Sequence, residues 1–280
     1  MSDRKAPGFY RSGRTTFFAS RMDQRFSYCC YVPEGYAPDG DAVYPLAVLV
    51  HGSLRDAATL RDEFIDFAEA NQCVLLAPFF PCGIEEPGDL HNYKLILYRG
   101  IRFDLIVLDM IEEVAELYRL DTSKVLMHGF SGGGQFAHRF FYLHPERLMG
   151  VSIGAPGTVT LADPEKEWWV GTRRMEDIFG RLFDPEAMSE VPVQLVIGAQ
   201  DIETWDVTVG PNSAFWMPGI NDSGETRIAR LRALEASLAG IGITPRFDMV
   251  PGVAHIGGLI KDPVKAFFAD CLAARRSRGI

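Results

Sequence analysis

Val125-Leu126-Met127-His128-Gly129-Phe130-Ser131-Gly132-Gly133-Gly134-Gln135 is the stretch on which the reading of this chain turns. An apolar run enters it, a serine sits among glycines, and residues 134–144 follow with helical spacing. Phe136, Phe140 and Leu143 fall at i, i+4 and i+7, and Pro145 closes the segment. A serine between glycines at a strand-to-helix junction is the sequence form of a nucleophile elbow. The flanking positions must be nearly free of side chain, and glycine tolerates the strained dihedrals of such a turn. The hydroxyl is then held at the carboxyl edge of a sheet, beside a helix N-terminus that stabilises negative charge. Gly150-Val151-Ser152-Ile153-Gly154 fits the same pattern. It lies in an apolar, strand-like run, however, and Ala155-Pro156 follows with no helical periodicity. Ser131 is therefore the candidate nucleophile, and Ser152 reads as core.

Outward from this stretch, strand-like and helix-like segments alternate. Residues 15–20 and 26–33 read as an opening antiparallel pair. Further strands are expected at 46–50, 74–78, 125–130, 149–154, 193–197 and 246–250, and helices at 57–71, 101–118, 225–239 and 263–274. The alternation predicts an α/β fold with a mostly parallel, eight-stranded central sheet covered by helices on both faces. No repeat, low-complexity tract or long linker divides the chain, so one domain over 1–280 is expected. Residues 157–191 break the alternation, and their place just past a strand near the elbow predicts a cap or lid over a pocket.

A serine hydroxyl needs a base to take its proton. His255 follows the last strand in the flexible loop Pro251-Gly252-Val253-Ala254-His255-Ile256-Gly257-Gly258 and is the expected base. His138 and His144 fall on the helix after the elbow, His91 in a polar loop and His128 on a strand. His51 reads as structural. The base in turn needs a carboxylate to fix its tautomer. Asp201, at the end of the strand and turn starting at Val193, gives the chain order Ser131, Asp201, His255 expected for this arrangement; Glu203 and Asp206 are competitors. Two backbone amides must hold an oxyanion. Gly132 follows the nucleophile, and Ser53 stands in His51-Gly52-Ser53-Leu54 after an early strand, with Leu54 as the alternative donor. Leu54, Trp168, Trp169, Trp205 and Trp216 are the candidate pocket residues.

The bulk composition narrows the partners. With 28 basic and 37 acidic residues the net charge is −9, which argues against nucleic acid. No apolar run approaches a membrane span. Residues 1–14 are polar and charged, so no secretory signal is expected. The cysteines are odd in number (5) and lack CxxC spacing, which fits reduced thiols in a cytoplasmic protein. No histidine pair has HExxH spacing, so no metal is expected. The oligomeric state is left open between monomer and homodimer.

Taken together, these motifs resemble the α/β-hydrolase superfamily over roughly residues 26–272. His51-Gly52-Ser53, and Ser131-Gly132-Gly133-Gly134-Gln135-Phe136-Ala137 continuing to His144-Pro145-Glu146, resemble its esterase and polyhydroxyalkanoate-depolymerase-like branch. The resemblance implies a serine hydrolase without a cofactor. No substrate-binding module accompanies the motifs, which favours a small-molecule ester over a polymer. A ligand sensor on the same scaffold, and a peptidase or amidase, stay open as alternatives.

Overall fold

The computed structural model describes residues 8–277. In chain order the strands and helices are β1 (Gly13–Arg14), β2 (Phe18–Ala19), β3 (Ser27–Val32), β4 (Tyr44–Val50), α1 (Ala57–Asp62), α2 (Ile65–Asn71) and β5 (Val74–Phe79). Next come β6 (Leu97–Tyr98), β7 (Ile101–Arg102), α3 (Phe103–Leu117), β8 (Leu120–Phe130), α4 (Gly132–Leu143) and β9 (Leu148–Gly154). The chain ends with α5 (Met175–Phe179), α6 (Pro185–Ser189), β10 (Val193–Gly198), α7 (Arg227–Gly240), β11 (Arg246–Val250) and α8 (Lys261–Ser277).

The sheet runs β1-β3-β5-β4-β8-β9-β10-β11, with short β2 attached to β3. Pairing is parallel from β5 through β11, and only β1, β2 and β3 enter antiparallel. The mostly parallel sheet expected from the alternation is thus present. Parallel strands are covered on both faces, and β4 shows how. Its alternate residues Leu46, Val48 and Val50 enter the core shared with α3, α4 and α7. Ala47 and Leu49 enter the one shared with α2 and α8. Both layers bury strand residues completely, so the carboxyl ends of β4, β8 and β10 are held as a rigid platform.

Several boundaries differ from the sequence expectation for local reasons. The helix expected over 57–71 breaks at Glu63-Phe64, where Phe64 turns into the core against Phe268 at 6.3 Å. The helix expected from residue 101 starts at Phe103. Ile101 and Arg102 instead pair with Tyr98 and Leu97 in a hairpin whose turn residues, Arg99 and Gly100, both have positive φ. No helix among the described residues is long and apolar enough to cross a membrane.

Three buried imidazoles tie this framework to pH. His51 donates from Nδ1 to Gly52 O at 2.8 Å and accepts at Nε2 from the Phe80 amide at 3.0 Å. His138 bridges Gly134 O and the Thr160 amide in the same way. Burial is the main cause that takes His51 and His128 down to about 4, and it holds His138 well below the ordinary histidine range. Unfolded histidines take up protons near ~6.5. Because the folded values are depressed, this stability is complete above ~6.5 and is lost as pH falls from there towards 4. The urea midpoint should therefore drop between pH 7 and 4.5, reflecting a loss of unfolding free energy of up to ~1.4 kcal/mol per pH unit for each ring. A midpoint that does not move across that window would contradict the burial of neutral rings.

Candidate active site

The turn between β8 and α4 is forced by close backbone approach. A Cβ on Gly129 would stand 2.1 Å from Gly133 O, and one on Gly133 would stand 2.1 Å from Val50 O. Neither position accepts a side chain, so these two glycines let the helix start directly against β4 and β8. Ser131 carries the strain of the turn, with φ 57° and ψ −112°. It is pinned on both sides: its amide donates to Gly154 O at 2.8 Å, and its carbonyl accepts from the Gln135 amide at 3.0 Å.

Three side chains from distant parts of the sequence meet at this turn. His255 Nε2 lies 3.0 Å from Ser131 Oγ, and His255 Nδ1 lies 2.6 Å from Asp201 Oδ2. Backbone bonds from Ala199 to Val250 O and from Gln200 to Val253 O bring the two loops together. The imidazole also stacks on Phe130, with ring centroids 4.6 Å apart. With Nδ1–H given to Asp201, Nε2 is left as the acceptor facing the serine. Asp201 is 1% exposed. Its second oxygen accepts from Arg227 Nη1 at 3.1 Å, and the other arm of that guanidinium holds Asp206. Asp206 is thus engaged by Arg227 rather than His255, and Glu203 is exposed. Sequence reasoning did not single out Arg227, because an arginine at a helix start reads as a solvated charge.

The two residues named from sequence as oxyanion donors are neighbours in the fold. Ser53 Oγ lies 3.2 Å from where a Cβ on Gly132 would stand. Tyr93 Oη donates to His51 O at 2.8 Å and Arg55 Nη1 to Ser53 O at 2.7 Å, fixing the loop after β4. Among the described residues, neither the Ser53 nor the Gly132 amide is paired with a backbone carbonyl. Gly132 opens α4, where helix amides have no intrahelical acceptor. Ser152 lies in β9, fully buried, with its hydroxyl donated to Gln194 Oε1 at 2.7 Å.

A cavity of about 880 Å³ opens over Ser131. The expected pocket residues divide there. Trp169 lines it, while Leu54 and Trp205 stand at its mouth, 89% and 78% exposed. Trp168 does not line it. That ring is buried in the core, edge-on to Phe179 at 4.9 Å. Trp216 is also not a lining residue. Residues 157–191 reach the cavity only through Gly157, Thr158 and Trp169, and residues 205–220 contribute more of its wall, including Val207, Val209 and Phe215. The lining also includes His91 and Lys94, which follow the carboxyl end of β5. Burial, then nearby Lys94, lowers His91 to about 4, and burial, then Arg55, lowers Lys94 to about 8. Their place past a strand's carboxyl end was the signal available in sequence.

No protein-family model and no curated protein matches this chain. Solved structures do. A poly(3-hydroxybutyrate) depolymerase from Bordetella parapertussis is 24% identical, with 88% of this chain and 84% of that one covered at a TM-score of 0.69. A poly(aspartic acid) hydrolase-1 from Sphingomonas sp. KT-1 is 18% identical, over 91% of this chain and 98% of that one, at a TM-score of 0.71. An S-formylglutathione hydrolase from Agrobacterium tumefaciens is 15% identical, over 92% and 93%, at a TM-score of 0.59. The likeness defines the fold: this chain has the α/β-hydrolase fold.

Two expectations follow from the packing. Gly133→Ala should destabilise the protein by on the order of 2–4 kcal/mol in chemical denaturation, since backbone rather than a movable side chain meets the new methyl group. Wild-type stability in that variant would contradict the close approach. Trp169→Ala should change the preference of any ester hydrolysis for acyl-chain length. Trp168→Ala should leave that preference alone and cost ~3–5 kcal/mol of stability. The opposite division of effects would mean that the two rings have been assigned to the wrong sides of the chain.

Proposed function

We propose that this chain is a serine hydrolase that cleaves small-molecule carboxylic esters through an acyl-enzyme. The relay from Ser131 Oγ through His255 to Asp201, at 3.0 and 2.6 Å, carries this reading. In the proposed reaction Ser131 Oγ attacks the acyl carbon while His255 Nε2 takes its proton. The oxygen that becomes negative is held by the Ser53 and Gly132 amides, which are fixed before substrate arrives and so cost no reorganisation. Collapse breaks the bond to the alcohol, which leaves with the proton from His255. Water then attacks the acyl-serine, again giving its proton to His255, and the acid departs as Ser131 recovers its hydrogen. Asp201 orients the ring and balances the imidazolium without itself taking the proton.

The comparisons support hydrolysis in a general way, since the similar structures are described as a depolymerase and as hydrolases. The ester reading rests on the relay, because an alkoxide leaves a tetrahedral intermediate more readily than an amine and needs only a base that takes and returns one proton. A sensor that uses the scaffold without turnover would not need Ser131 held at φ 57° with an aligned base, so the strained turn favours an enzyme.

Ser131→Ala should remove turnover of p-nitrophenyl esters and labelling by a fluorophosphonate. Residual rates should stay ~10³–10⁴-fold above water, the level that binding and amide stabilisation supply alone. Asp201→Asn should lower kcat by about 10⁴ by favouring the wrong imidazole tautomer, whereas Glu203→Gln should cost far less. Near-normal turnover in Ser131→Ala would sink the proposal.

A further inference from the structure

One wall of the cavity carries a buried cation that no carboxylate pairs with directly among the described residues; Asp89, held by the His91 and Asn92 amides, acts on it only from a distance. Lys94 is 4% exposed and lines the cavity. Its Cε lies 2.8 Å from where a Cβ on Gly132 would stand, which sets the side chain against the start of α4. The ammonium has one hydrogen-bond partner among the described residues, His91 Nδ1 at 3.1 Å, and makes no ion pair with a carboxylate. His91 can only accept that bond as a neutral ring, and an imidazole supplies no negative charge in either protonation state.

Among the described residues, the cations behind Lys94 make no ion pair either. Arg55 donates to Phe80 O, Ser53 O, Leu90 O and Asn92 Oδ1, all neutral acceptors. Arg139 is fully buried and donates to Lys94 O at 2.6 Å and to the Thr160 and Thr158 hydroxyls. Arg227, which lines the cavity, contrasts with these, since it holds both Asp201 and Asp206. With 37 acidic residues against 28 basic, the chain has no shortage of carboxylates that could have been set beside Lys94. Burying an ammonium without a counter-charge is costly, and a bound anion relieves that cost. The cavity's free acidic groups, Asp56 and Glu63, belong to the α1 side, and Glu63 stands against Gly258 in the His255 loop.

We infer that the substrate is an ester that bears a carboxylate, and that Lys94 Nζ, with Arg55 and Arg139 behind it, binds that carboxylate. The inference rests on the serine-hydrolase reading and names its substrate class.

The test compares singly anionic esters with their neutral counterparts at pH 7, followed by titration of released acid. Monoethyl succinate, glutarate and adipate place the carboxylate on the acyl side, and the butanoyl esters of glycolate and 3-hydroxypropanoate place it on the alcohol side. Each is set against its fully esterified form. Rates are expressed per Ser131 that reacts with a fluorophosphonate, so a misfolded fraction drops out. In the wild type, at least one anionic ester should be preferred by about 10-fold or more in kcat/KM, and Lys94→Met should reduce that preference by about 10- to 100-fold. The arm that shows the preference tells whether the charge lies on the acid or the alcohol. Absence of any such preference overturns the carboxylate subsite, as does a Lys94→Met variant that loses both classes of ester equally, which would assign Lys94 to the oxyanion instead. If Lys94→Met does not fold, inhibition of wild-type diethyl ester turnover by glutarate, set against glutaramide, decides the matter. Inhibition by the diacid alone supports the subsite, and equal or no inhibition overturns it. Absence of labelling and of turnover towards every ester would overturn the hydrolase reading itself, a result distinct from labelling and turnover without a charge preference.

Discussion

The backbone contact between Gly133 and Val50 is the constraint on which the functional end of this molecule depends. With no side chain between them, α4 begins directly against β4 and β8, leaving Ser131 as the residue that must bend. The same contact brings Gly132 beside Ser53. A longer or looser turn would separate nucleophile, helix N-terminus and the loop after β4 into three unrelated features. The strain at Ser131, of a kind that costs ~1–3 kcal/mol, is sustained by a core that covers both faces of the sheet and holds the strand ends rigid.

Electrostatic balance shapes the rest. Asp201 is buried, and its two oxygens are divided between His255 and Arg227. A buried carboxylate with only an imidazole beside it would pay a large desolvation cost whenever the ring is neutral, and Arg227 offsets that cost in the resting state. Asp206 in turn shares the guanidinium, so two carboxylates engage one cation on this side. Around Lys94 the balance is reversed, and no carboxylate pairs with the ammonium among the described residues. The contrast on one cavity between a guanidinium engaged by two carboxylates and an ammonium paired with none is the kind of asymmetry that selects substrates rather than drives the chemistry.

The parts of this arrangement that could be read from sequence are those that follow local rules. Glycines around a serine at a strand-to-helix junction, and an aspartate and a histidine each just past a strand, are patterns in which a residue's place along the chain implies its place at the sheet edge. The mostly parallel pairing and the coverage of both faces followed from alternation alone. Trp168 and Trp169 show where such rules stop. They are adjacent, yet one is buried against Phe179 and the other faces the cavity, because which side of an irregular segment turns inward is decided by tertiary packing rather than periodicity. Residues 205–220 form much of the cavity wall without regular structure, so no period announced them. Arg227 and Lys94 were missed for a related reason. A buried cation looks the same in sequence as an exposed one, and only the fold shows which carboxylates it meets.

The central claim is that Ser131 becomes covalently acylated. The direct measurement is rapid acid quenching during turnover of an activated ester, followed by intact mass and peptide mass analysis. The account predicts a gain equal to the acyl group less one hydrogen, confined to the peptide that contains Ser131 and lost on continued incubation. An adduct on Ser152 or another residue, or turnover with no acylated protein under conditions that give a burst of alcohol, would contradict it.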